Sequence, residues 1–400
     1  MGSRQYLYLV FLLMLGFGVS YGQTGASGNI PSKLLVKVPF ETEHGSVILK
    51  VRINNSPKVL RLLFDTGADG MAISQSLADS IGLKITRKQN ASVVGGNMEI
   101  QVSDGNTVHL DDFEVKNQGI AVFKEMHKDL DGIIGNTIAR RYITKVDYDR
   151  KELSLYNFGD YQYEKEGASI PFTMPSGLFI IPGSLSITTE PVHTGDFVFD
   201  TGASYSLICF RPFVKKNKLL VSGFKAEYNG STTSMGMTTP TFGGRAATFS
   251  FSNMPVIKNM PVTLMAGGGQ SESWNPGFDG SIGVRLISRY NFTINMQKKE
   301  IHFSPNKTYS YPYDFSIGGF LFGFDLNGDL MIQGLTAVEN PKVSLRTGAK
   351  VLSINGLSAQ VLLKDNKQFN KLMVLPAGTS YVVESVQNGS SFKDSIIKQE

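Results

Sequence analysis

A mainly β chain built from two related lobes is predicted by three observations. The pentapeptide Phe64-Asp65-Thr66-Gly67-Ala68 returns as Phe199-Asp200-Thr201-Gly202-Ala203, entered and left by apolar runs both times. A second segment, Asp131-Gly132-Ile133-Ile134-Gly135, returns as Asp279-Gly280-Ser281-Ile282-Gly283, and Arg141, Tyr142, Lys151 and Glu152 are followed at that same spacing by Arg289, Tyr290, Lys299 and Glu300. Short alternating apolar runs and 42 glycines among 400 residues suit a turn-rich sheet architecture. Two blocks repeated once in one order are a duplication, since solenoid repeats have shorter periods and more copies.

Taken in order, residues 1–22 read as an export signal. Arg4 supplies the positive start, 6–19 the apolar stretch and Ser20-Tyr21-Gly22 the small-residue cleavage site. The apolar run is short for a membrane span, and no cysteine near the cleavage site offers a lipid attachment point. The protein is therefore expected in the periplasm or secreted. Residues 23–39 read as a flexible leader, rich in Gly, Ser and Asn at its start.

The first lobe is expected over 40–160. Val47, Leu49, Val51 and Ile53 alternate with Ile48, Lys50 and Arg52, the period of a half-buried strand, and 59–64 makes the return strand after an Asn54-Asn55-Ser56-Pro57 turn. Asp65 thus lies where a hairpin's second strand runs into a loop. A short helix is predicted over 74–83, strands over 91–123 broken at 93–97 and 104–106, a strand then a short helix over 131–142, and a closing run at 146–156. The second lobe, 161–306, repeats the plan, with its short helix at 211–219 and a polar loop at 265–278 carrying the single tryptophan, Trp274. Near Tyr311 the repeat stops. Residues 311–400 read as a separate module with turns at Asn327-Gly328 and Asn388-Gly389.

Composition removes several classes of function. The apolar content of 41% and charge of 18% fit an ordered globular protein. The formal charge of +5 is spread along the chain without a Lys/Arg cluster interleaved with aromatics, so no nucleic-acid partner is expected. Five scattered histidines lack paired metal spacing, and Asp325-Leu326-Asn327-Gly328-Asp329 departs from a calcium loop at its sixth and twelfth positions, so neither a metal nor a cofactor is expected. Cys209 is the only cysteine. It forbids an intrachain disulfide and, at the end of an apolar run, reads as a buried small residue rather than a nucleophile. No Gly-x-Ser-x-Gly elbow is present.

The remaining chemistry is that of the recurring aspartates. Two carboxyl groups held close in a buried site cannot both ionise at neutral pH, so they share a proton; one can accept a proton from a water while the other donates to a carbonyl. Such hydrolysis requires neither metal nor covalent intermediate.

These two motifs, each with its apolar-apolar-Gly or Ser-Ile-Gly companion, resemble the aspartic peptidase superfamily of pepsins and retroviral proteases over about residues 40–305. The resemblance implies two pseudo-symmetric β lobes flanking an active-site cleft, an aspartic endopeptidase activity, Asp65 and Asp200 as the catalytic pair, Thr66 and Thr201 cross-bonding the two loops, and Gly67 and Gly202 permitting the tight backbone. It implies that Ile133-Ile134-Gly135 and Ser281-Ile282-Gly283 pack beside the loops. Val94, Gly95 and Gly96 are the candidate substrate-covering flap, with a second-lobe counterpart at Asn229-Gly230 or Met235-Gly236. Pepsins usually carry serine after Asp-Thr-Gly, whereas Ala68 and Ala203 follow here, as in retroviral proteases; the missing hydroxyls predict activity from mildly acid to near-neutral pH. Both motifs in one chain imply a monomer acting on a peptide or protein. The last ninety or so residues resemble a bacterial PDZ domain, with Phe322, Gly323 and Phe324 in the position of its carboxylate-binding loop, which implies a peptide C-terminus as a further ligand. Two alternatives stand beside these: a peptide-binding protein that keeps the lobes without turnover, and a slow peptidase whose PDZ-like module recruits its partner.

Overall fold

Strands account for most of the chain, as the period-two runs require, and only five short helices interrupt them among the described residues. The computed structural model describes residues 30–93, 96–124, 126, 130–234, 237–267, 274–336 and 343–398. The strands gather into a 13-stranded sheet and two 7-stranded sheets.

The duplication is visible in strand register. Leu60–Phe64 runs parallel to Gly132–Ile134, with Leu63 opposite Ile133, and His193–Asp200 runs parallel to Gly280–Gly283, with Val198 opposite Ser281. In each half the strand after the motif, Met71–Ser74 or Leu207–Cys209, lies antiparallel to that short strand and parallel to a long neighbour, Phe113–Phe123 or Ile257–Met265. Each glycine that closes the companion segment sits where no side chain fits. A Cβ on Gly135 would fall 2.4 Å from the Ala68 and Gly70 carbonyl oxygens, and one on Gly283 2.2 Å from that of Tyr205.

The halves are joined by more than the connection between them. Ile143–Asp147 of the first half pairs with Tyr290–Asn295 of the second, Val146 opposite Phe292, so the 13-stranded sheet passes from one half into the other. One apolar core runs through both, and Tyr148 of the first half meets Phe292 of the second with ring centroids 6.4 Å apart.

Several expectations change. The leader ends sooner than expected, because Leu34–Glu43 is a strand paired with Glu152–Tyr156 and Ser46–Ile53; Val38 and Phe40 face the core while Lys37 points outward, and that alternation is the cause. The expected signal, 1–22, and the first part of the leader lie outside the described residues. The helix predicted at 74–83 forms as Gln75–Ser80, capped by the Ser74 hydroxyl on the Leu77 N–H, and that at 211–219 as Arg211–Lys216. The helix expected before Tyr142 is a run of turns, because the strand Ile143–Asp147 begins before a second helical turn can close.

Residues from Phe315 to Ile397 form their own sheet and core with two helices, Ala359–Lys364 and Asn366–Met373. Phe320–Phe324 is a strand rather than a loop. Phe322 is buried and paired with Phe315 on one side and Ile332 on the other, so its run of large apolar residues fills this core; the left-handed turn lies earlier, at Gly318-Gly319. The turn at Asn388-Gly389 links Ser380–Gln387 to Ser390–Ile397, both residues having positive φ. Asp325 accepts the Asn327 and Asp329 N–H groups, which makes its acidic segment a side-chain-stabilised turn.

Arginines fasten the segment that leads into this sheet. Arg289, buried, donates to the carbonyls of Tyr309, Tyr311 and Pro312 at 2.8 to 3.0 Å and lies over the Tyr313 ring at 3.9 Å. Arg285 bonds the Ser204 carbonyl at 2.9 Å and the Asp314 carboxylate.

Candidate active site

The two aspartates leave their strands at equivalent points. Asp65 N–H donates to Ile134 O at 3.0 Å, and Asp200 stands opposite Gly283 in the parallel pair. The chain then turns sharply, and the Ala68 and Ala203 carbonyls are taken by the N–H groups of Asn136 and Val284 at 2.9 and 2.8 Å. Two loops of the same shape thus face each other across the boundary between the halves.

Their threonines interlock. Thr66 N–H donates to Thr201 Oγ1 and Thr201 N–H to Thr66 Oγ1, each at 3.0 Å, while the Thr66 hydroxyl donates to Phe199 O at 2.6 Å and the Thr201 hydroxyl to Phe64 O at 2.7 Å. Both residues have no exposed surface. Each hydroxyl therefore donates once and accepts once across the boundary, and no buried polar group of the interlock is left unpaired.

The glycines admit the opposing carboxyl groups. A Cβ on Gly67 would lie 2.4 Å from Asp200 Cγ, and one on Gly202 2.3 Å from Asp65 Cγ.

The neighbours of the two are unequal. Gly67 N–H donates to Asp65 Oδ1 at 2.9 Å, whereas Asp200 Oδ1 receives both Gly202 and Ala203 N–H at 3.0 Å. Burial raises both proton affinities. Asp65 is held well above the usual carboxylate range by burial first and the Asp200 charge second, with only the Gly67 N–H opposing. For Asp200 burial is opposed by the donors of Gly202, Ala203, Asp65 and Ser281, which favour the ionised form. The extra backbone donor at Asp200 favours its ionised form.

Above the pair opens a cleft of about 790 Å³. Its first-half wall is apolar, from Ala72, Ile100, Val102, Phe123 and Ile133, a cluster separate from the main core. Its second-half wall is aromatic: Phe210 meets Trp274 at 5.0 Å and Phe278 at 6.0 Å between ring centroids. The rim charges are paired, Arg87 with Asp104 at 2.8 Å and Arg140 with Asp69.

The residues predicted from sequence are placed as follows. Asp65, Thr66, Gly67, Asp200, Thr201 and Gly202 come together as one cluster. Gly96 pairs with Val93 where the hairpin of Arg87–Val93 and Gly96–Leu110 turns, and the base of this hairpin lines the cleft through Gln89, Asn90 and Ala91; Val94 and Gly95 lie outside the described residues. In the second half Asn229 and Gly230 are mid-strand, opposite Phe242 and Thr241, and the hairpin turns between Ser234 and Met237; Met235 and Gly236 lie outside the described residues. Phe322, Gly323 and Phe324 belong to the C-terminal sheet and do not line the cleft. Cys209 is fully buried, and burial pushes its thiol up, away from nucleophilic use.

Sequence reading passed over the aromatic wall, because Phe210, Trp274 and Phe278 come from separate segments without shared spacing. It gave Ser281 only as part of the segment packed beside the loops, and the structure places it in the cleft wall. The signal was present in the mismatch of the duplication, a hydroxyl where the first half has Ile133.

In comparisons with known proteins, a family model described as aspartyl protease matches residues 49–138, which hold Asp65 through Gly67 and Gly132 through Gly135. The solved structure of an aspartic proteinase from Irpex lacteus is similar at 14% identity and a TM-score of 0.45, covering 69% of this chain and 98% of that one. No curated protein matches.

Proposed function

We propose that the chain is an aspartic endopeptidase that hydrolyses peptide bonds with a water activated between Asp65 and Asp200. The observation that carries this reading is the interlock of Thr66 and Thr201, which presses two buried carboxyl groups together on the floor of a cleft. A pair so placed is electrostatically unfavourable unless it shares a proton, and a binding cleft alone has no use for it. The match of residues 49–138 to an aspartyl protease family model supports the same class.

In the proposed reaction an extended peptide lies along the cleft with its scissile carbonyl over the pair. The ionised carboxylate takes a proton from the water as the water oxygen bonds to the carbonyl carbon, and the protonated carboxyl gives its proton to the carbonyl oxygen. The resulting diol collapses as the leaving nitrogen receives a proton and the C–N bond breaks. The residues required are all in one chain, so a monomer suffices. Export to the periplasm or medium, a flap at Val94, Gly95 and Gly96, and a PDZ-like module that takes a C-terminal peptide are parts of this reading that the sequence alone supports. Ala68 and Ala203 supply no hydroxyl to the carboxylates, so activity is expected from mildly acid to near-neutral pH; an optimum below about pH 3 counts against it.

The deciding experiment is cleavage of an unbiased peptide library between about pH 3 and pH 8 by the mature chain, with Asp65→Asn and Asp200→Asn in parallel. Cutting by the wild type and by neither variant is the expected result. No cutting anywhere in that range, or equal cutting by the variants, replaces this reading with a binding protein that keeps the lobes.

A further inference from the structure

In both halves a guanidinium takes the main-chain carbonyl of the residue that follows the repeated pentapeptide. Arg140 Nη2 donates to Asp69 O at 2.7 Å, and Arg285 Nε donates to Ser204 O at 2.9 Å. Asp69 and Ser204 are matched positions of the duplication; counted from the closing glycines Gly135 and Gly283, the second arginine comes earlier than the first. The halves complete the guanidinium differently. Arg140 pairs with the carboxylate of Asp69 itself. Ser204 carries no carboxylate, and Arg285 pairs instead with Asp314, in the segment that leads into the C-terminal sheet.

We propose that Asp314 is a positioning residue for the Asp200 loop, supplying from the C-terminal segment the carboxylate that Asp69 supplies within the first half. The C-terminal sheet is thereby part of the frame of the active site. This rests on the catalytic reading of the pair given above.

Asp314 is built into its place. Its side chain and that of Arg285 each keep only 16% of their surface, against 60% for Asp69, so the pair is shielded from the solvent that weakens exposed ion pairs. Arg245 Nη2 holds the Asp314 main-chain carbonyl at 2.6 Å while its Nε donates to Glu227 at 3.0 Å. On the other side a Cβ on Gly323 would lie 2.2 Å from Asp314 Oδ1, so the strand Phe320–Phe324 leaves the carboxylate its room by carrying no side chain there. Asp69 is seated in the same manner, because a Cβ on Gly177 would lie 2.0 Å from its Oδ1.

The path from Asp314 to the pair is short. The loop after Asp200 hangs on the segment 283–285 through the Gly283 N–H on Ser206 O at 3.1 Å, the Val284 N–H on Ala203 O at 2.8 Å and the Arg285 N–H on Tyr205 O at 3.1 Å. The Arg285 guanidinium adds the bond to Ser204 O, and Asp314 fixes the direction in which that side chain points. The same loop carries the Gly202 and Ala203 N–H groups that hold Asp200 Oδ1 at 3.0 Å. Without Asp314 the guanidinium turns to water, Ser204 O loses its donor, and those two N–H groups lose their fixed place. A small displacement of a reacting group is costly, up to about a hundredfold for 1 Å.

The test uses the full mature chain with a peptide substrate, as wild type, Asp314→Asn, and Asp314→Asn combined with Ser204→Asp. Asparagine keeps the shape of the side chain, and the Arg245 bond to the main chain keeps the segment seated. Asp314→Asn should lower kcat roughly tenfold with KM within about twofold. Adding Ser204→Asp gives the second half the arrangement of the first and should return kcat to within about threefold of wild type. An unchanged kcat in Asp314→Asn overturns the proposal. So does a loss that Ser204→Asp leaves uncorrected, because the damage then lies in the C-terminal segment at large. If Asp314→Asn alone does not fold, cleavage by the double variant carries the same conclusion, and failure of both to fold overturns it. A second measurement does not depend on turnover. Hydrogen exchange at the Gly283, Val284 and Arg285 N–H groups should be severalfold faster in Asp314→Asn and slow again in the double variant, while the Asn136 N–H, their counterpart on Ala68 O, stays unchanged. Equal rates in all three proteins sink the idea. If the wild type cuts no peptide, the function proposed above fails, and hydrogen exchange still decides whether Asp314 holds the loop.

Discussion

Thr66 and Thr201 show how much a single atom carries when its partner lies in the other half of the chain. Thr66→Val removes a donor to Phe199 O and an acceptor for the Thr201 N–H, leaving both buried without a partner. The expected cost is about 1–3 kcal/mol in urea unfolding, and Thr201→Val should cost the same by symmetry. The double variant should lose clearly less than twice that, because the four bonds form one network. Asp65 behaves oppositely. Its folded proton affinity is raised, so above the unfolded value near pH 3.9 the unfolded chain binds fewer protons than the folded one, and stability falls as pH rises from there toward the folded value. Asp65→Asn should therefore raise stability at neutral pH, on the order of 1 kcal/mol by thermal unfolding, while abolishing cleavage. The interlock was legible in the sequence because an aspartate, a threonine and a glycine recurred together. The extra donor at Asp200 was not, since it depends on where the Ala203 N–H points.

At the scale of elements, the loop that follows each motif is fixed by a glycine it crosses. Gly135→Ala would drive a methyl group to 2.4 Å from two carbonyl oxygens of the Asp65 loop. Neither backbone can yield without parting the loop from its strand, so soluble expression or peptide cleavage should be lost; full activity in Gly135→Ala would contradict the packing. Gly105→Ala is the control, because nothing lies within 4 Å of its Cβ and only its positive φ opposes the change. Strands were legible where side chains alternate, as at Ser46–Ile53, and a helix where a serine could cap it, as at Gln75–Ser80. Two elements were misread for a common reason. Leu34–Glu43 and Phe320–Phe324 begin beside residues typical of loops, and it is the partner strand, distant in sequence, that makes them strands.

At the scale of the molecule, Arg289 ties the approach to the C-terminal sheet onto the second half. Removing the guanidinium leaves three carbonyls and the Tyr313 ring without their cation. Arg289→Met should speed proteolytic cutting at residues 309–313 severalfold while cutting elsewhere is unchanged; an unchanged rate there would mean the segment is held by the ring packing of Tyr309 and Tyr290 instead. The separate C-terminal core was legible because the repeat stopped. The pairing of Ile143–Asp147 with Tyr290–Asn295 was not, because nothing in either strand names its partner. That pairing has a consequence for the chain as it leaves the ribosome. Until the second half is made, Ile143–Asp147 is an uncovered edge with free backbone groups, and the nearest strand able to cover it belongs to another nascent copy. The order of synthesis therefore sets a race between completing one molecule and joining two, and slowing translation between the halves should increase aggregation without changing a single residue.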